Sequence, residues 1–333
     1  MKKSKNTKIM FYPHDFNKKG DKLMTNIFKI NFIKEFCELC QDGFNHGWHE
    51  MNGGNLSYRL KPEEIKQSEE IFNLTNNWIK IGVNVPELAN EYFLVTGTGK
   101  YFKNVLKAPE KNIGIIQVDN KGENYRIVWG LDNNALPTSE LPTHLMNHEV
   151  KKKQTNGKYR IIYHCHTPNI IALTFLLPLK DEIFTRELWE TMTECPIIFS
   201  KGIGVVNWMV PGGKEIAIAT SELMKVYDLV IWAHHGLFCS SEDFDIAFGL
   251  ALTLEKAAKI LIKILSVSPK RLQTIQPNEF RKLAKDFAER ELTKELLDEV
   301  EETGVFPEEI LQKMAKAGFF GIKTPKELGG QGA

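Results

Sequence analysis

The chain lacks a long apolar run, a charge excess and a dense set of cysteines. No stretch approaches the roughly 18 apolar residues that a membrane span needs, and the lysines at the amino terminus precede no apolar segment of a secretory signal. A net charge of +1 gives no strong field for recruiting nucleic acid. Five cysteines in 333 residues are too few for a disulfide scaffold. We therefore expect a cytoplasmic protein with reduced thiols, and neither nucleic acid nor membrane as a partner.

Length and composition are those of a folded globular protein. Apolar residues make up 42% and charged residues 26% of the 333 positions, which suffices for one large domain or two ordinary ones. Residues 1–23 are polar and rich in lysine, so we expect a disordered extension there. Apolar residues recur at helical spacing over 26–42, which predicts the first helix of the folded domain.

Two histidines follow a predicted strand at residues 160–163. Side chains alternate across a strand, so His164 and His166 share one face while Cys165 points to the other. Pro168 ends the strand and places the pair at its carboxyl end, where α/β sheets commonly bind ligands. Two imidazoles on one face can chelate a metal ion, although an isolated His-x-His pair also occurs without one.

A second predicted strand, residues 229–233, ends in His234, His235 and Gly236. One of these histidines, added to the first pair, would supply three nitrogen ligands from two strand ends. Three histidines with an open coordination position are typical of a catalytic divalent metal. Zinc suits an all-imidazole set best, with manganese, cobalt and iron as open alternatives.

One predicted helix offers a carboxylate for this site and also a competing metal set. Thr138 or Ser139 can cap the helix, with Glu140 in its first turn. Glu140 could be a fourth ligand or a base beside the metal. His144 and His148 follow on the same helical face, so with Glu140 they form a rival set that we rank below the strand pair.

Two glycine-rich turns could bind an anion. Asn52-Gly53-Gly54-Asn55 precedes a predicted strand, and Gly97-Thr98-Gly99-Lys100 follows another. The second turn fails the Walker pattern, because Tyr101 stands where serine or threonine should follow the lysine. Backbone amides, a hydroxyl and an ammonium could still hold a single phosphate, and ordinary tight turns are the alternative. With the metal set, these turns indicate a phosphorylated carbonyl compound as substrate.

Further elements are predicted after the first histidine pair. They are a helix over 185–194, strands over 195–199 and 203–209, and helices over 214–227 and 243–265.

A series of motifs falls in the order found in a known family. The chain resembles the class II aldolase/adducin family in Asn-Gly-Gly-Asn-Leu from Asn52, Thr-Gly-Thr-Gly-Lys from Thr96, Pro-Thr-Ser-Glu-Leu-Pro from Pro137, His-Cys-His from His164 and His-His-Gly-Leu-Phe from His234. The resemblance covers residues 24–297, and it is specific because many separate motifs occur in order.

This resemblance implies an α/β fold of three αβα layers, with a central, mostly antiparallel sheet flanked by helices. It also implies a homotetramer with active sites at subunit interfaces. The implied activity is that of a zinc-dependent lyase of L-rhamnose degradation, which cleaves L-rhamnulose 1-phosphate to dihydroxyacetone phosphate and L-lactaldehyde. A metal-stabilised enediolate would carry the charge that bond cleavage leaves behind.

The resemblance also assigns roles to residues. One Zn²⁺ per subunit would be held by His164, His166 and His235. Glu140 would transfer a proton, and Glu194 matches an acid that reaches the neighbouring subunit's site. The positions that match phosphate and substrate contacts are Asn52, Gly54, Asn55, Thr98, Gly99, Thr138 and Ser139. Thr98 stands where serine is expected, a departure that keeps the hydroxyl.

Other functions stay open at this point. Related sugar-phosphate aldolases and ribulose-phosphate 4-epimerases use the same metal chemistry, so an assay on several sugars would separate them. A non-catalytic adducin-like module need not keep metal ligands, and the three histidines with Glu140 argue against it.

The carboxyl-terminal residues depart from this family. Residues 298–333 resemble the amino-terminal helices of acyl-CoA dehydrogenases. A segment of this length cannot bury a core of its own. We expect a helical appendage without flavin activity, with helices near 278–302 and 307–317.

Overall fold

A computed structural model describes residues 27–269, 271–276, 282, 285–286, 288–289, 291–305, 307 and 309–310. The expected amino-terminal extension and much of the expected carboxyl-terminal appendage lie outside these residues. The chain divides into two compact units, Met1–Thr274 and Ile275–Ala333.

Helices and strands alternate along the first unit. The strands are β1 Asn55–Arg59, β2 Ile79–Lys80, β3 Tyr92–Thr96, β4 Ile113–Val118, β5 Asn124–Gly130, β6 Ile161–Cys165, β7 Gly204–Val206, β8 Leu229–Trp232 and β9 Gly236–Ser241. The helices are α1 Asn31–Asn45, α2 Pro62–Ser68, α3 Pro109–Asn112, α4 Leu141–Gln154, α5 Pro168–Leu176, α6 Asp181–Trp189, α7 Cys195–Ile198, α8 Lys214–Met224 and α9 Phe244–Val267. Short 3-10 turns cover Glu69–Ile71, Pro86–Leu88 and Phe102–Asn104.

The strands of the described residues form one sheet in the order β2-β5-β4-β3-β1-β6-β9-β8-β7. All neighbouring pairs are antiparallel except β7 and β8, which run parallel. Helices cover the sheet, so the predicted α/β fold with a mostly antiparallel central sheet is confirmed.

Alternation along the central strands divides the core between the two faces of the sheet. On β6, Tyr163 and Cys165 join the large cluster that includes α1 and α9, whereas Ile162 joins a smaller cluster with α8. His164 has the parity of Ile162 and packs against Phe238 of that smaller cluster. The strand period thus places this imidazole on the sheet face that α4 and α8 cover.

Helix α9 contributes a buried carboxylate to the start of α5. Glu255 accepts hydrogen bonds from the backbone N–H of Asn169 at 3.0 Å and of Ile170 at 3.0 Å. These groups are among the donors that the first turn of a helix leaves unpaired. Because α5 follows directly after His166, this contact fixes the chain just beyond the strand end.

One predicted strand is wrong. Residues 195–199 were expected to be extended, but Cys195–Ile198 is a short helix. Pro196 explains the difference, since it has no N–H for a ladder and favours the first turn of a helix. The carbonyl of Glu194 accepts from the N–H groups of Ile197 and Ile198.

Other boundaries move by a few residues. The first helix is Asn31–Asn45, the helix expected over 185–194 is Asp181–Trp189, and the strand expected over 203–209 is Gly204–Val206. Glu140 is the residue before α4 and does not lie in its first turn. In the second unit, Lys294–Thr303 is helical; the rest of the helices expected near 278–302 and 307–317 lies largely outside the described residues.

All five cysteines are buried free thiols. None of the helices in the described part of the chain combines the length and apolar character that crossing a membrane requires.

Candidate metal centre

Three histidines converge where β6 and β9 meet. His164 lies on β6, His166 follows the end of that strand, and His235 lies in the turn between β8 and β9. One ring nitrogen of each lies within 4.8 Å of the others. Among the described residues, this is the group of histidine, cysteine and acidic side chains whose arrangement could hold a metal ion.

The free nitrogens of this cluster suit a metal ion. His164 Nδ1–H donates to the carbonyl of Leu237 at 2.9 Å, and His166 Nδ1–H donates to Glu50 Oε1 at 2.5 Å. The Nε2 atoms of both rings are buried and have no hydrogen-bond partner in the described structure. A metal-binding histidine usually donates a hydrogen bond from the ring nitrogen that does not bind the metal. Here the bond from Nδ1 fixes the tautomer and leaves a lone pair on Nε2 for the metal.

Burial lowers the pKa of two histidines of the cluster, His164 and His235, and so keeps both rings neutral. Desolvation lowers the pKa of His164 well below 6.5, and the neighbouring imidazoles lower it further. The pKa of His235 falls to about 4, first through burial and then through His166. Since the nitrogen that binds a metal must carry no proton, the lowered pKa values of His164 and His235 favour metal binding at neutral pH.

Gly236 allows His235 to approach the end of β6. A Cβ at this position would lie 2.3 Å from the carbonyl oxygen of Cys165. No residue other than glycine therefore fits without moving the strands.

His234 faces away from the cluster. Its backbone has a φ of +63°, and its Nδ1 is 3.0 Å from Thr174 Oγ1. Its ring centroid lies 4.0 Å from that of Phe175. Of the two neighbouring histidines, only His235 therefore joins His164 and His166.

A carboxylate faces the cluster from the start of α4. Glu140 Oε2 lies 3.7 Å from His164 Nε2 and accepts a hydrogen bond from Asn55 Nδ2 at 2.9 Å. Burial raises the pKa of Glu140, and the bond from Asn55 opposes this shift. The Glu140 side chain does not cap α4. The position of the Glu140 side chain is therefore set by its contacts with Asn55 and His164 and not by capping of the helix.

The rival set of Glu140, His144 and His148 does not form. His144 contacts Asn55 through Nε2 and Ser57 through Nδ1 at 2.6 Å. His148 contacts the same hydroxyl through Nε2 at 2.8 Å. Since strand β1 occupies these nitrogens, the two helix histidines are hydrogen-bonding groups and not a second metal centre.

Most of the remaining predicted site residues lie in three loops, residues 52–54, 97–99 and 137–139, whereas Asn55 is the first residue of β1 and Glu194 precedes α7. Backbone bonds join Thr98 N to Leu136 O and Thr138 N to Thr96 O, both at 2.9 Å, so the two loops lie side by side. Exposed positions among the predicted contacts are Asn52, Thr98, Gly99 and Ser139; Gly54 is half-buried, and Asn55 and Thr138 are buried. The backbone carbonyl of Glu194 accepts from the N–H groups of Ile197 and Ile198 in α7.

Two contributors to the site have no signal in the sequence. Glu50 contacts His166 across 116 positions, and Ser57 links two histidines of α4 to β1. Neither belongs to a spacing motif, and only the folded sheet brings them to their partners.

A likeness to a solved structure defines the class of protein that carries this fold and site. A sugar-phosphate aldolase from Thermotoga maritima is 31% identical, with a TM-score of 0.62; the match covers 72% of this chain and 97% of that one. The fold is thus that of an aldolase, a lyase.

The family model described as Class II Aldolase and Adducin N-terminal domain matches residues 34–262. The chain belongs to this family, as the motifs predict. A rhamnulose-1-phosphate aldolase from Mannheimia succiniciproducens is 46% identical over 264 residues, 79% of this chain and 97% of the relative. A protein of the same name from Klebsiella pneumoniae is 43% identical over 264 residues, 79% of this chain and 95% of the relative.

The carboxyl-terminal resemblance is also confirmed. The acyl-CoA dehydrogenase N-terminal domain model matches residues 275–333. This match begins before the boundary that we expect at residue 298, and it coincides with the second compact unit.

The glycine turn beside the cluster generates a stability prediction. At Gly54, φ is +72°, and a Cβ would lie 2.4 Å from His49 Nδ1 and 2.8 Å from the carbonyl oxygen of His164. At Gly47, φ is +75°, but no atom lies within 4 Å of the added Cβ. We expect Gly47→Ala to cost about 1–2 kcal/mol of backbone strain, and Gly54→Ala about 1–3 kcal/mol more through overlap. Urea unfolding of both variants measures the difference, and equal losses would contradict the close contact.

Proposed function

We propose that this enzyme cleaves L-rhamnulose 1-phosphate to dihydroxyacetone phosphate and L-lactaldehyde, in the degradation of L-rhamnose. The observation that carries the proposal is the convergence of three imidazoles, two with unpartnered Nε2 atoms, beside the buried carboxylate of Glu140. The relatives at 46% and 43% identity, which are rhamnulose-1-phosphate aldolases, support this choice of sugar.

His164, His166 and His235 would hold one Zn²⁺ per chain. Three neutral nitrogen donors with room for further ligands suit zinc in a catalytic site. When bound, the ion would act as a Lewis acid on the ketose oxygens and stabilise the negative charge that develops as the bond breaks. Glu50 and the carbonyl of Leu237 hold two of the rings from behind, so the ligand geometry is set before the ion arrives.

Glu140 would move the proton. As the C3–C4 bond breaks, the electron pair stays on the dihydroxyacetone phosphate half, and the C4 hydroxyl loses its proton as the aldehyde forms. Glu140 would take up the proton that the C4 hydroxyl releases and deliver it to C3. Its position 3.7 Å from His164 Nε2 places it beside any group that the cluster binds, and burial, which raises its pKa, makes it a better proton carrier near neutral pH.

The phosphate and the sugar hydroxyls would contact the loops at residues 52–54, 97–99 and 137–139, together with Asn55. The proposed residues are Asn52, Gly54, Asn55, Thr98, Gly99, Thr138 and Ser139. Asn55 differs from the others because its amide already contacts Glu140 and His144. It would therefore act on the substrate from beside Glu140.

We further propose a cytoplasmic homotetramer in which Glu194 completes the site of the neighbouring subunit. Glu194 is half-buried, makes local contacts and lies beside the exposed Ile197 and Ile198. Trp208 and Val210 are also exposed, by 63% and 69%. An interface that covers such side chains would bury substantial apolar area. In this proposal residues 24–297 form the aldolase domain, with extensions over 1–23 and 298–333.

The activity itself is tested with a coupled assay for dihydroxyacetone phosphate release. We expect L-rhamnulose 1-phosphate to be cleaved at least about tenfold more efficiently, in kcat/KM, than L-fuculose 1-phosphate, a margin of about 1.4 kcal/mol. Epimerisation of L-ribulose 5-phosphate without any cleavage of L-rhamnulose 1-phosphate would favour the epimerase and reject the proposed aldolase.

Metal content separates the two adjacent histidines. His235→Ala should purify with little zinc, because one of three ligands is lost. His234→Asn should keep about one zinc per chain; asparagine tolerates the positive φ at this position. Purification without chelator followed by elemental analysis measures both. A full zinc complement in His235→Ala would contradict the ligand set.

The role of Glu140 predicts a kinetic loss without loss of metal. Glu140→Ala should lower kcat by about 10²–10⁴-fold, the usual range for a general acid or base, while its zinc content stays that of the unmodified enzyme. Glu63→Ala, at an exposed position, is the control for loss of a carboxylate. A Glu140→Ala variant that turns over at the unmodified rate would eliminate this role.

A further inference from the structure

A chain of polar side chains runs through the interior between β1 and α4 and ends on Glu140. His148 Nε2 contacts Ser57 Oγ at 2.8 Å, and this hydroxyl contacts His144 Nδ1 at 2.6 Å. His144 Nε2 contacts Asn55 Oδ1, and Asn55 Nδ2 donates to Glu140 Oε2 at 2.9 Å. All five residues are buried, with exposures from 0% at Ser57 and His144 to 7% at Glu140.

The orientation of the Asn55 amide fixes the direction of every bond in this chain. Asn55 turns its Nδ2 toward Glu140 and its Oδ1, which can only accept, toward His144. His144 must then carry its proton on Nε2 and accept at Nδ1 from the hydroxyl of Ser57. That hydroxyl accepts in turn from His148 Nε2–H.

The far end of the chain agrees with this assignment. His148 Nδ1 is buried and has no hydrogen-bond partner in the described structure, as expected of an unprotonated nitrogen. Burial lowers the pKa of His144 to about 3 and that of His148 well below 6.5, so both rings are neutral. A neutral imidazole has one donor and one acceptor, which leaves a single consistent pattern.

These polar groups lie among apolar side chains. Apolar side chains could fill the space between α4 and the sheet, where His144 packs against Phe238 and His148 against Phe93. A buried polar network is costly where a member lacks a partner, as His148 Nδ1 does among the described residues. The chain that does form gives Asn55 one defined amide orientation. With the amide reversed, its oxygen would face the carboxylate of Glu140 and its NH₂ would face the protonated Nε2 of His144.

We infer that His144, held in its tautomer by Ser57 and His148, is a positioning residue that orients the Asn55 amide and through it the Glu140 carboxylate. The inference rests on the proposed role of Glu140 in proton transfer. It assigns to α4 and β1 a function that none of the sequence motifs indicates: they hold the reacting carboxylate at a fixed angle beside the histidine cluster.

Two substitutions at position 144 test the inference. The amide nitrogen of glutamine can take the place of histidine Nε2 and keep the donor to Asn55, whereas asparagine reaches only the place of Nδ1. His144→Asn should lower kcat by roughly 10²-fold, since a misplacement of about 1 Å can have that effect. His144→Gln should recover most of that loss. KM should change less than kcat for both, because the role of Glu140 is confined to the transition state, whereas Asn55 is also a proposed substrate contact.

Leu145→Ala is the matched control, because it removes buried methyl groups from the same helix on the side of a different core cluster. Leu145→Ala should lower the thermal midpoint of unfolding but should leave kcat close to that of the unmodified enzyme, in contrast to His144→Asn. The inference is overturned when His144→Asn keeps a kcat within about twofold of the unmodified enzyme, or when folded His144→Gln loses as much as His144→Asn.

The histidine tautomers provide a readout that does not depend on activity. In ¹⁵N NMR of the unmodified, histidine-labelled protein, His144 and His148 should both carry their proton on Nε2, with signals assigned by the position 144 variants and by His148→Gln. An Nδ1–H tautomer at His144 overturns the inference even where the variants do not fold. If the unmodified enzyme cleaves no sugar phosphate but shows these tautomers, the proposed function is rejected while the hydrogen-bond network is supported.

Discussion

The register of β6 between its two neighbours is the constraint on which the site depends. His164 is paired with Asn55 of β1 on one side and with Phe238 of β9 on the other. This pairing brings the Asn55 amide, and thus Glu140, to the histidine cluster, and it stacks the His164 ring on Phe238 with centroids 4.2 Å apart. A shift of one residue would turn His164 to the opposite face of the sheet. Three strands that are far apart in the sequence must therefore be in exact alignment before any chemistry is possible.

Burial determines the protonation of the groups that this alignment brings together. His144, His148 and His164 lie in the same apolar layer, and desolvation lowers the pKa of each. The same physical effect raises the pKa of Glu140. The three neutral rings differ in the contacts that their ring nitrogens make. His164 keeps an unpartnered Nε2 close to His166 and His235. Both nitrogens of His144 are hydrogen-bonded, and His148 is bonded through Nε2 to Ser57 and lies outside the cluster. Similar side chains in similar environments thus serve different ends.

The sequence predicts the parts of the site that depend on local periodicity. The strand period places His164 and His166 together, and the end of the second strand indicates one of His234 and His235; only the family resemblance selects His235. Contacts between distant segments have no such signal. Helical spacing suggests that Glu140, His144 and His148 share a metal, but β1 lies against that face and engages both histidines through Ser57. Residues 195–199 have apolar character typical of a strand, yet Pro196 favours a helix there. In both cases the competing partner or the local backbone preference outweighs the pattern.

Glu50 and Glu140 approach the histidine cluster from different sides of the imidazole rings. The ring nitrogen that each carboxylate faces determines the role that it can have. Glu50 accepts from Nδ1 of His166, the nitrogen that points away from the cluster, and its side chain is 65% exposed. From there it can orient the ring and increase the basicity of Nε2, but it cannot reach a group bound in front. Glu140 lies on the Nε2 side of His164, where its side chain is only 10% exposed. In the proposed mechanism, a carboxylate in that position would lie close enough to bound substrate to exchange a proton, and its low exposure would limit proton exchange with bulk water. The positions of the two carboxylates relative to the imidazole rings thus agree with the proposed division between an orienting role for Glu50 and a proton-transfer role for Glu140.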